Sequence, residues 1–204
     1  MSLRIEQFGR VRRITLAAPA QRNVVTAALA ADLLRELAQA ESDADTGALL
    51  LDAEGPVFCG GIEGPLDLPE EALSFGSRAA KPLVAAVQGV ALSAGLALIA
   101  NAHVVVAAQG SSFGLTDIRE GRCYPQVLEA VARAIGLRRA RELALTGRIF
   151  STPEALAWGL IHAVTPAFEL DDRASAIATG LANANASAVR EVLQAAHAHT
   201  AARA

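Results

Sequence analysis

Two runs that alternate polar and apolar positions, Leu3–Phe8 and Val11–Leu16, are separated only by Gly9 and Arg10, the pattern of a β-hairpin. Pro19 closes it. From Val25 to Ala40 the apolar residues Val25, Leu29, Leu33, Leu34 and Leu37 recur at helical spacing, with Asp32, Arg35 and Glu36 on the other side, which predicts an amphipathic helix. Ala48–Leu51 reads as a short buried strand, and Glu54-Gly55-Pro56 punctuates it before the glycine-rich segment from Phe58 to Gly64. The polar stretch from Pro65 to Ser77 holds at best a short helix. Pro82 opens Leu83–Val87, apolar at every position and therefore expected to be buried on both faces. Gly89 turns the chain, Ala94–Ala100 reads as a helix starting at that turn, and Val104–Ala107 as another buried strand. Beyond Phe113-Gly114 the pattern is helical over Val127–Ile135 and Leu137–Leu145. A capped helix then starts at Ser151 or Thr152, with Pro153 at its first position and Glu154 in its first turn. Ile161–Val164 is a last strand, and Leu170–Ala204 one or two alanine-rich helices. Alternating strands and helices predict an α/β fold, and no internal repeat is visible.

Composition narrows the class. With 52% hydrophobic residues over 204 positions, the chain has enough apolar material for a full core and too much for disorder. A single domain over 1–204 is expected, with its core to about residue 165 and a helical region over about 166–204. Eighteen basic residues stand against 21 acidic ones, for a net charge of −3. No cationic cluster is visible, which argues against a nucleic-acid partner. Cys59 and Cys123 form no CxxC pair, so neither a disulfide framework nor a structural zinc is expected. The N-terminus alternates and lacks the apolar run and small-residue cleavage site of a secretory signal. The longest apolar stretch, Leu83 to Ala100, is interrupted by Gln88, Gly89, Ser93 and Gly95, short of the roughly 20 apolar residues a membrane span needs. A cytoplasmic protein without a membrane partner is expected.

The two glycine-containing turns each follow a predicted buried strand, Ala48–Leu51 and Leu83–Val87, and exposed backbone N–H groups at such turns can meet a developing negative charge. Neither is a nucleotide loop. A phosphate-binding Walker loop ends in Gly-Lys, and the single lysine, Lys81, lies elsewhere. The spacing Gly60-Gly61-Ile62-Glu63-Gly64 also fails the dinucleotide fingerprint.

Taken together, the segments resemble the crotonase superfamily, the enoyl-CoA hydratase and isomerase family. Pro56-Val57-Phe58-Cys59-Gly60-Gly61-Ile62-Glu63 looks like the family's FCAGAD loop, and Lys81 to Gly95 is similar to its KPVIAAVNGYALGGG segment. Ser112-Phe113-Gly114-Leu115, Leu143 to Arg148, Glu154-Ala155-Leu156 and Trp158-Gly159-Leu160 follow in family order. The resemblance runs from Ile5 to about Ala196. It implies a crotonase-like (ClpP/crotonase) α/β spiral of ββα units with C-terminal helices, assembled as a homotrimer or a pair of trimers. It also implies acyl-CoA thioester chemistry through an enolate, with coenzyme A part of the substrate and no separate cofactor. By position, the oxyanion-hole N–H groups would belong to Ile62 and Ala94. Arg22 and Val24 would grip the CoA moiety, and Gly60, Gly61, Gly95 and Tyr124 would line the substrate site.

The family's hydratases carry two carboxylates. The first position is Ala97 here, and the second is Asp117. One carboxylate can take a proton from one carbon and return it to another, so an isomerase-type shuttle through Asp117 is favoured over two-carboxylate hydration. Other readings stay open. Ala91-Leu92-Ser93-Ala94-Gly95 looks like a nucleophile elbow, with Asp117 and His162 following in an order that suits a serine hydrolase. Clp-type serine peptidases, which share the fold, have a similar serine turn. Their histidine, however, falls near Asp117, and an aspartate is a poor base for serine. A non-catalytic acyl-CoA-binding subunit is the third reading. His103 is expected in the core or at a subunit contact. His197 and His199, two apart on a helix, make a poor metal pair, and no metal is expected. Glu63 and Glu120 read as solvated loop charges, and Phe150 and Trp158 as core. The C-terminal helical region is shorter than the family's.

Overall fold

The structure, a computed structural model, describes residues 2–64 and 73–201. Along the chain the strands are β1 (Leu3–Phe8), β2 (Val11–Leu16), β3 (Ala48–Ala53), β4 (Val57–Cys59), β5 (Leu83–Val87), β6 (Val90–Leu92), β7 (Val104–Ala108), β8 (Ser112–Gly114), β9 (Ile149–Ser151) and β10 (Ala163–Thr165). The helices are α1 (Ala27–Ser42), α2 (Ala94–Ala100), α3 (Pro125–Ile135), α4 (Leu137–Thr146), α5 (Thr152–Ala157), α6 (Leu170–Ala182) and α7 (Ala186–Ala201). Two sheets result. The larger has the order β1-β2-β3-β5-β7-β10 and the smaller β4-β6-β8-β9. The hairpin β1–β2 is antiparallel, with Leu3 opposite Leu16 and Phe8 opposite Val11. The rest of the larger sheet is parallel. Three times the chain leaves a strand of the larger sheet and adds a short strand to the smaller one: β3 to β4, β5 to β6, β7 to β8. The second and third of these steps are followed by α2 and α3.

Period-two alternation explains why the larger sheet is apolar on both faces. Leu50, Val84, Ala86, Val106 and Ala108 point to one face and pack against Leu170, Ala174, Ala178 and Ala182, spaced by four along α6. Leu49, Leu51, Leu83, Ala85, Val87, Val105 and Ala107 point the other way, into the main core with α1, α2, α3 and the smaller sheet. Each fully buried leucine contributes about 1.5–3 kcal/mol. Arg13 on β2 pairs with Asp52 on β3, and at 2.6 Å with Asp171 on α6, tying the three elements by charge.

Local signals set the helix ends. Thr26 caps α1 by accepting the Leu29 N–H at 3.0 Å, so the helix starts two residues later than the Val25 its apolar spacing suggested. Lys81 closes the other end of α1, its Nζ donating to the carbonyls of Ala40 and Asp43, which would otherwise be orphaned. Ser151 and Glu154 form the capping box of α5, with the Ser151 N–H donating to the Glu154 carboxylate at 2.9 Å. The hairpin and the strands β3, β5 and β7 fall where the pattern placed them, and the alanine-rich tail forms two helices. Four strands were not foreseen: β4, β6, β8 and β9, each of three residues, too short to show a period. The last strand begins at Ala163 rather than Ile161, because the Ile161 N–H turns back to the Ala155 carbonyl of α5 at 3.4 Å before the pairing with β7 starts. Part of the Pro65–Ser77 stretch lies outside the described residues; its end forms a 3-10 turn, Phe75–Ser77.

Candidate active site

The first glycine turn is held by main-chain bonds. After Cys59 the Gly60 N–H donates to the Arg22 carbonyl at 2.8 Å, the Val25 N–H to the Gly61 carbonyl at 2.8 Å, and the Glu63 N–H to the Val25 carbonyl at 3.0 Å. The Arg22–Val25 segment is thereby laid along the loop. Arg22 and Asn23 both have positive φ, 53° and 52°. Asn23 is fully buried; its amide oxygen accepts from the Ala18 N–H at 2.9 Å, and its amide nitrogen donates to the carbonyls of Glu54 and Val57 at 3.0 and 2.8 Å. An asparagine tolerates this backbone region better than most residues. Sequence reading missed Asn23; the available signal was an amide in a short loop just before β-branched positions. Among the described residues no protein acceptor takes the Ile62 N–H, which is left as a free donor in this loop.

The second turn joins β6 to α2. The Ser93 N–H donates to the Gly114 carbonyl at 2.9 Å, and the Ser93 carbonyl receives the Leu96 and Ala97 N–H groups. Ser93 itself sits at φ 49°, ψ −113°, close to the first corner of a type II′ turn, where glycine is normally required. The next N–H, of Ala94, opens α2 and has no protein acceptor among the described residues, as expected of a first-turn donor. The two turns abut. A Cβ on Gly95 would lie 2.7 Å from Cys59 Cβ, and one on Gly61 would face Ser93 Cβ at 3.6 Å. Burial pushes the Cys59 thiol up to about 11, so it packs as an apolar group rather than as a nucleophile.

Asp117 opens a 3-10 turn, Asp117–Glu120, directly after β8, and Gly121 ends it in the left-handed region at φ 69°. The residue borders a cavity of about 190 Å³ whose walls include Leu115, Val127, Leu128, Ala144 and Leu145. Arg122, Cys123, Tyr124 and Arg141 complete its polar rim. The Tyr124 hydroxyl donates to the Gly64 carbonyl at 2.6 Å, joining the cavity wall to the first glycine loop. Burial raises the Asp117 pKa above the usual aspartate range. The nearby Ser93 hydroxyl and the residue's own N–H oppose that rise, the charge of Glu120 adds to it, and Arg122 counters it weakly. Ser93 Oγ is buried without a partner at hydrogen-bond distance, so its contact with the carboxylate is a long one. Asp117 forms no ion pair with Arg119; Arg122 turns instead to Glu120 at 3.0 Å, on the surface.

Of the positions singled out from the sequence, Gly60, Gly61, Ile62, Ser93, Ala94 and Gly95 come together through the abutting turns. Asp117 and Tyr124 share the cavity, and the Ser93 N–H bonds to Gly114, three residues before Asp117. Arg22 and Val24 flank Gly60 from its other side and do not line that cavity. Ala97 is 0% exposed in the core, so the first carboxylate position holds an alanine with no access to solvent. His162 is engaged elsewhere, its Nδ1 accepting the Val105 N–H on β7 at 3.0 Å, and it does not line the cavity. His103 is half-buried, its Nδ1 accepting the Leu83 N–H at 2.9 Å. His197 meets the Gly76 carbonyl at 3.1 Å, while the side chain of His199 lies outside the described residues. Phe113, Phe150 and Trp158 stack at centroid distances of 5.5 and 5.0 Å under the smaller sheet, as core. No group of three or more His, Cys, Asp or Glu that could hold a metal is found among the described residues, and no described helix is long and apolar enough to cross a membrane.

The two-sheet architecture, with abutting glycine turns leading to a carboxylate beside an apolar cavity, is that of the crotonase-like α/β spiral. An enoyl-CoA hydratase of Mycobacterium paratuberculosis superposes with a TM-score of 0.88 at 31% identity, over 100% of this chain and 90% of that one. The sequence model for enoyl-CoA hydratase/isomerase matches residues 69–204, and the chain belongs to that family. A probable enoyl-CoA hydratase of Mycobacterium tuberculosis is 32% identical over 199 residues, covering 91% of this chain and 77% of the relative. A mevalonyl-coenzyme A hydratase of Aspergillus fumigatus is 28% identical over 198 residues, covering 90% and 73%.

Proposed function

We propose that the protein binds an acyl-CoA thioester, polarises its carbonyl between the N–H groups of Ile62 and Ala94, and moves a proton with Asp117 as the only acid/base. The observation that carries this reading is the environment of Asp117. It is a half-buried carboxylate on an apolar cavity, next to the turn that holds a free N–H donor. Two backbone donors aimed at a developing oxyanion are each worth about 10²–10³ in rate, and their identity as Ile and Ala is immaterial because the peptide supplies the N–H.

With Ala97 in place of a second carboxylate, the reaction that asks least of the site is an allylic shift. Asp117 removes a proton from C2 of a 3-enoyl thioester, the enolate oxygen is held by the two N–H groups, and the same carboxyl returns the proton at C4. A raised pKa suits both halves of that cycle, since a carboxyl that takes up a proton must also hold it long enough to deliver it. The apolar walls around Leu115, Val127 and Leu128 would take the acyl tail, while Arg22 and Val24, on the outer side of Gly60, would meet the CoA moiety. No cofactor beyond the CoA of the substrate is required by this cycle. A homotrimer, or a pair of trimers, is the expected assembly.

A hydrolase built on Ser93, Asp117 and His162 is not favoured, because His162 is held on β7 away from the cavity. The test of the main reading is deuterium incorporation from heavy water into saturated, 2-enoyl and 3-enoyl CoA thioesters, read by mass spectrometry with Asp117→Asn beside the wild type. Exchange or isomerisation that disappears in the variant supports the reading. Binding without exchange in either protein would assign the chain to acyl-CoA binding alone.

A further inference from the structure

Five buried side-chain polar atoms lack a partner among the described residues: Arg12 Nε, Thr15 Oγ1, Asp52 Oδ1, His103 Nε2 and Ser93 Oγ. Only the last lies at the site. Ser93 is 2% exposed and held at φ 49°, ψ −113°, where a side chain is strained and glycine would be comfortable. Its local environment therefore disfavours serine twice, through the backbone and through an unpaired buried hydroxyl. The surroundings explain its presence. The bond from the Ser93 N–H to the Gly114 carbonyl sets the residue against the segment that leads three positions on to Asp117, and its Cβ faces Gly61 across the gap between the two turns. Ser93 thus lies between the loop that offers the Ile62 N–H and the segment that carries the carboxylate, in a site whose other carboxylate position is the buried Ala97.

We propose that Ser93 is a positioning residue whose hydroxyl donates to the charged Asp117 carboxylate and fixes the oxygen that receives the substrate proton. The proposal rests on Asp117 being the acid/base. In the cycle the C2–H bond breaks, its proton passes to Asp117 and its electron pair to the enolate oxygen; the proton then returns to C4 as the electrons move back. The Ser93 O–H bond stays intact throughout, so nothing is consumed. The groups facing Asp117 are Glu120 and Arg122 on its own turn and the segment after it, Cys123 and Tyr124 ahead of α3, and Arg141 on α4. None of these offers a second buried hydroxyl at the turn.

The test compares Ser93→Ala, which keeps a side chain in the strained turn without the hydroxyl, with Ser93→Gly, which removes both, and with Asp117→Asn. Each Ser93 variant is expected to lose about tenfold in kcat, the size of one hydrogen bond to a charged group, with KM little changed. The acid limb of the kcat profile is expected to move to higher pH in both, because the hydroxyl favours the charged carboxylate. Ser93→Gly is also expected to melt at a higher temperature than the wild type, separating strain from chemistry and keeping the test open if Ser93→Ala folds poorly. A Ser93→Gly protein with wild-type kcat and an unmoved acid limb would overturn the assignment. An acyl adduct found on wild-type Ser93 would overturn it too, by making the residue a nucleophile. If Asp117→Asn keeps full exchange, the underlying reading fails instead, which is a distinguishable result.

Discussion

The two sheets divide the labour of this molecule unevenly. The larger is built from strands with apolar side chains on both faces, covered by α6 on one side and by the main core on the other. The smaller has strands of three residues each, and each of β4, β6 and β8 ends in a turn that carries part of the site. The larger sheet holds most of the core, and the proposed chemistry falls at the ends of the smaller one. The comparison teaches that the site needs little from its strands beyond register: β6 between β4 and β8 sets Cys59 beside Ala91 and Leu92 beside Gly114, and the turns do the rest.

Substitutions that act on one sheet alone sharpen this contrast. The largest effect is expected from Asp117→Asn, with proton exchange falling by about 10²–10⁴ while CoA-thioester affinity, measured by calorimetry, stays within a few-fold. The same variant is expected to be more stable than the wild type at neutral pH. An aspartate whose folded pKa is raised is protonated in both states at low pH. Above the ordinary aspartate range the unfolded chain ionises first, so the wild type loses stability as pH rises toward the folded value. Asparagine removes that loss, and a melt series over pH would show the two curves parting above the ordinary range.

Leu51→Ala works on the other sheet. Leu51 is 1% exposed and faces the main core, so the truncation is expected to cost about 2–5 kcal/mol in urea unfolding while the folded fraction keeps near-normal turnover. Activity lost in proportion far beyond the unfolded fraction would break the division of labour. Gly95→Ala lies at the seam. Its Cβ would press to 2.7 Å of Cys59 Cβ and 3.0 Å of the Cys59 carbonyl oxygen. A cost of about 1–3 kcal/mol from overpacking is expected, together with a drop of about 10² in turnover from displacement of the Ala94 N–H.

The smallest effect is expected from His103→Asn at the start of β7. Burial, and after it the proximity of His197, lowers the His103 pKa. The folded state therefore holds fewer protons than the unfolded one, and stability falls as pH drops through the ordinary histidine value of about 6.5. Asparagine can still accept the Leu83 N–H, so the variant should show a flatter dependence of Tm between pH 7 and 5. An unchanged slope would assign the acid sensitivity to His162, whose pKa burial also lowers.

Much of this was legible in the chain. The hairpin, α1, β3, β5, β7 and the capped α5 follow from periodicity and capping residues, because the larger sheet and its helices bury continuous apolar runs that leave a repeating pattern. The glycines at 60, 61, 89 and 95, Asp117 and the substitution at Ala97 are also plain in the sequence, and their order identified the family. What only the tertiary structure decided lies in the short strands and between elements. Three residues such as Ser112–Gly114 are too few to show a period, so β8 exists only because Ser112 and Phe113 find Val90 and Ala91 on β6. Asn23 was not set apart in the sequence, and its part in the loop rests on its three bonds. That Ser93 is strained, buried and set beside Asp117, that Arg22 and Val24 lie outside the cavity, and that His162 is drawn off to β7 depend on contacts between residues remote in the chain. A sequence records local preference along one strand or helix turn, whereas burial and the pairing of polar groups are properties of the packed neighbours.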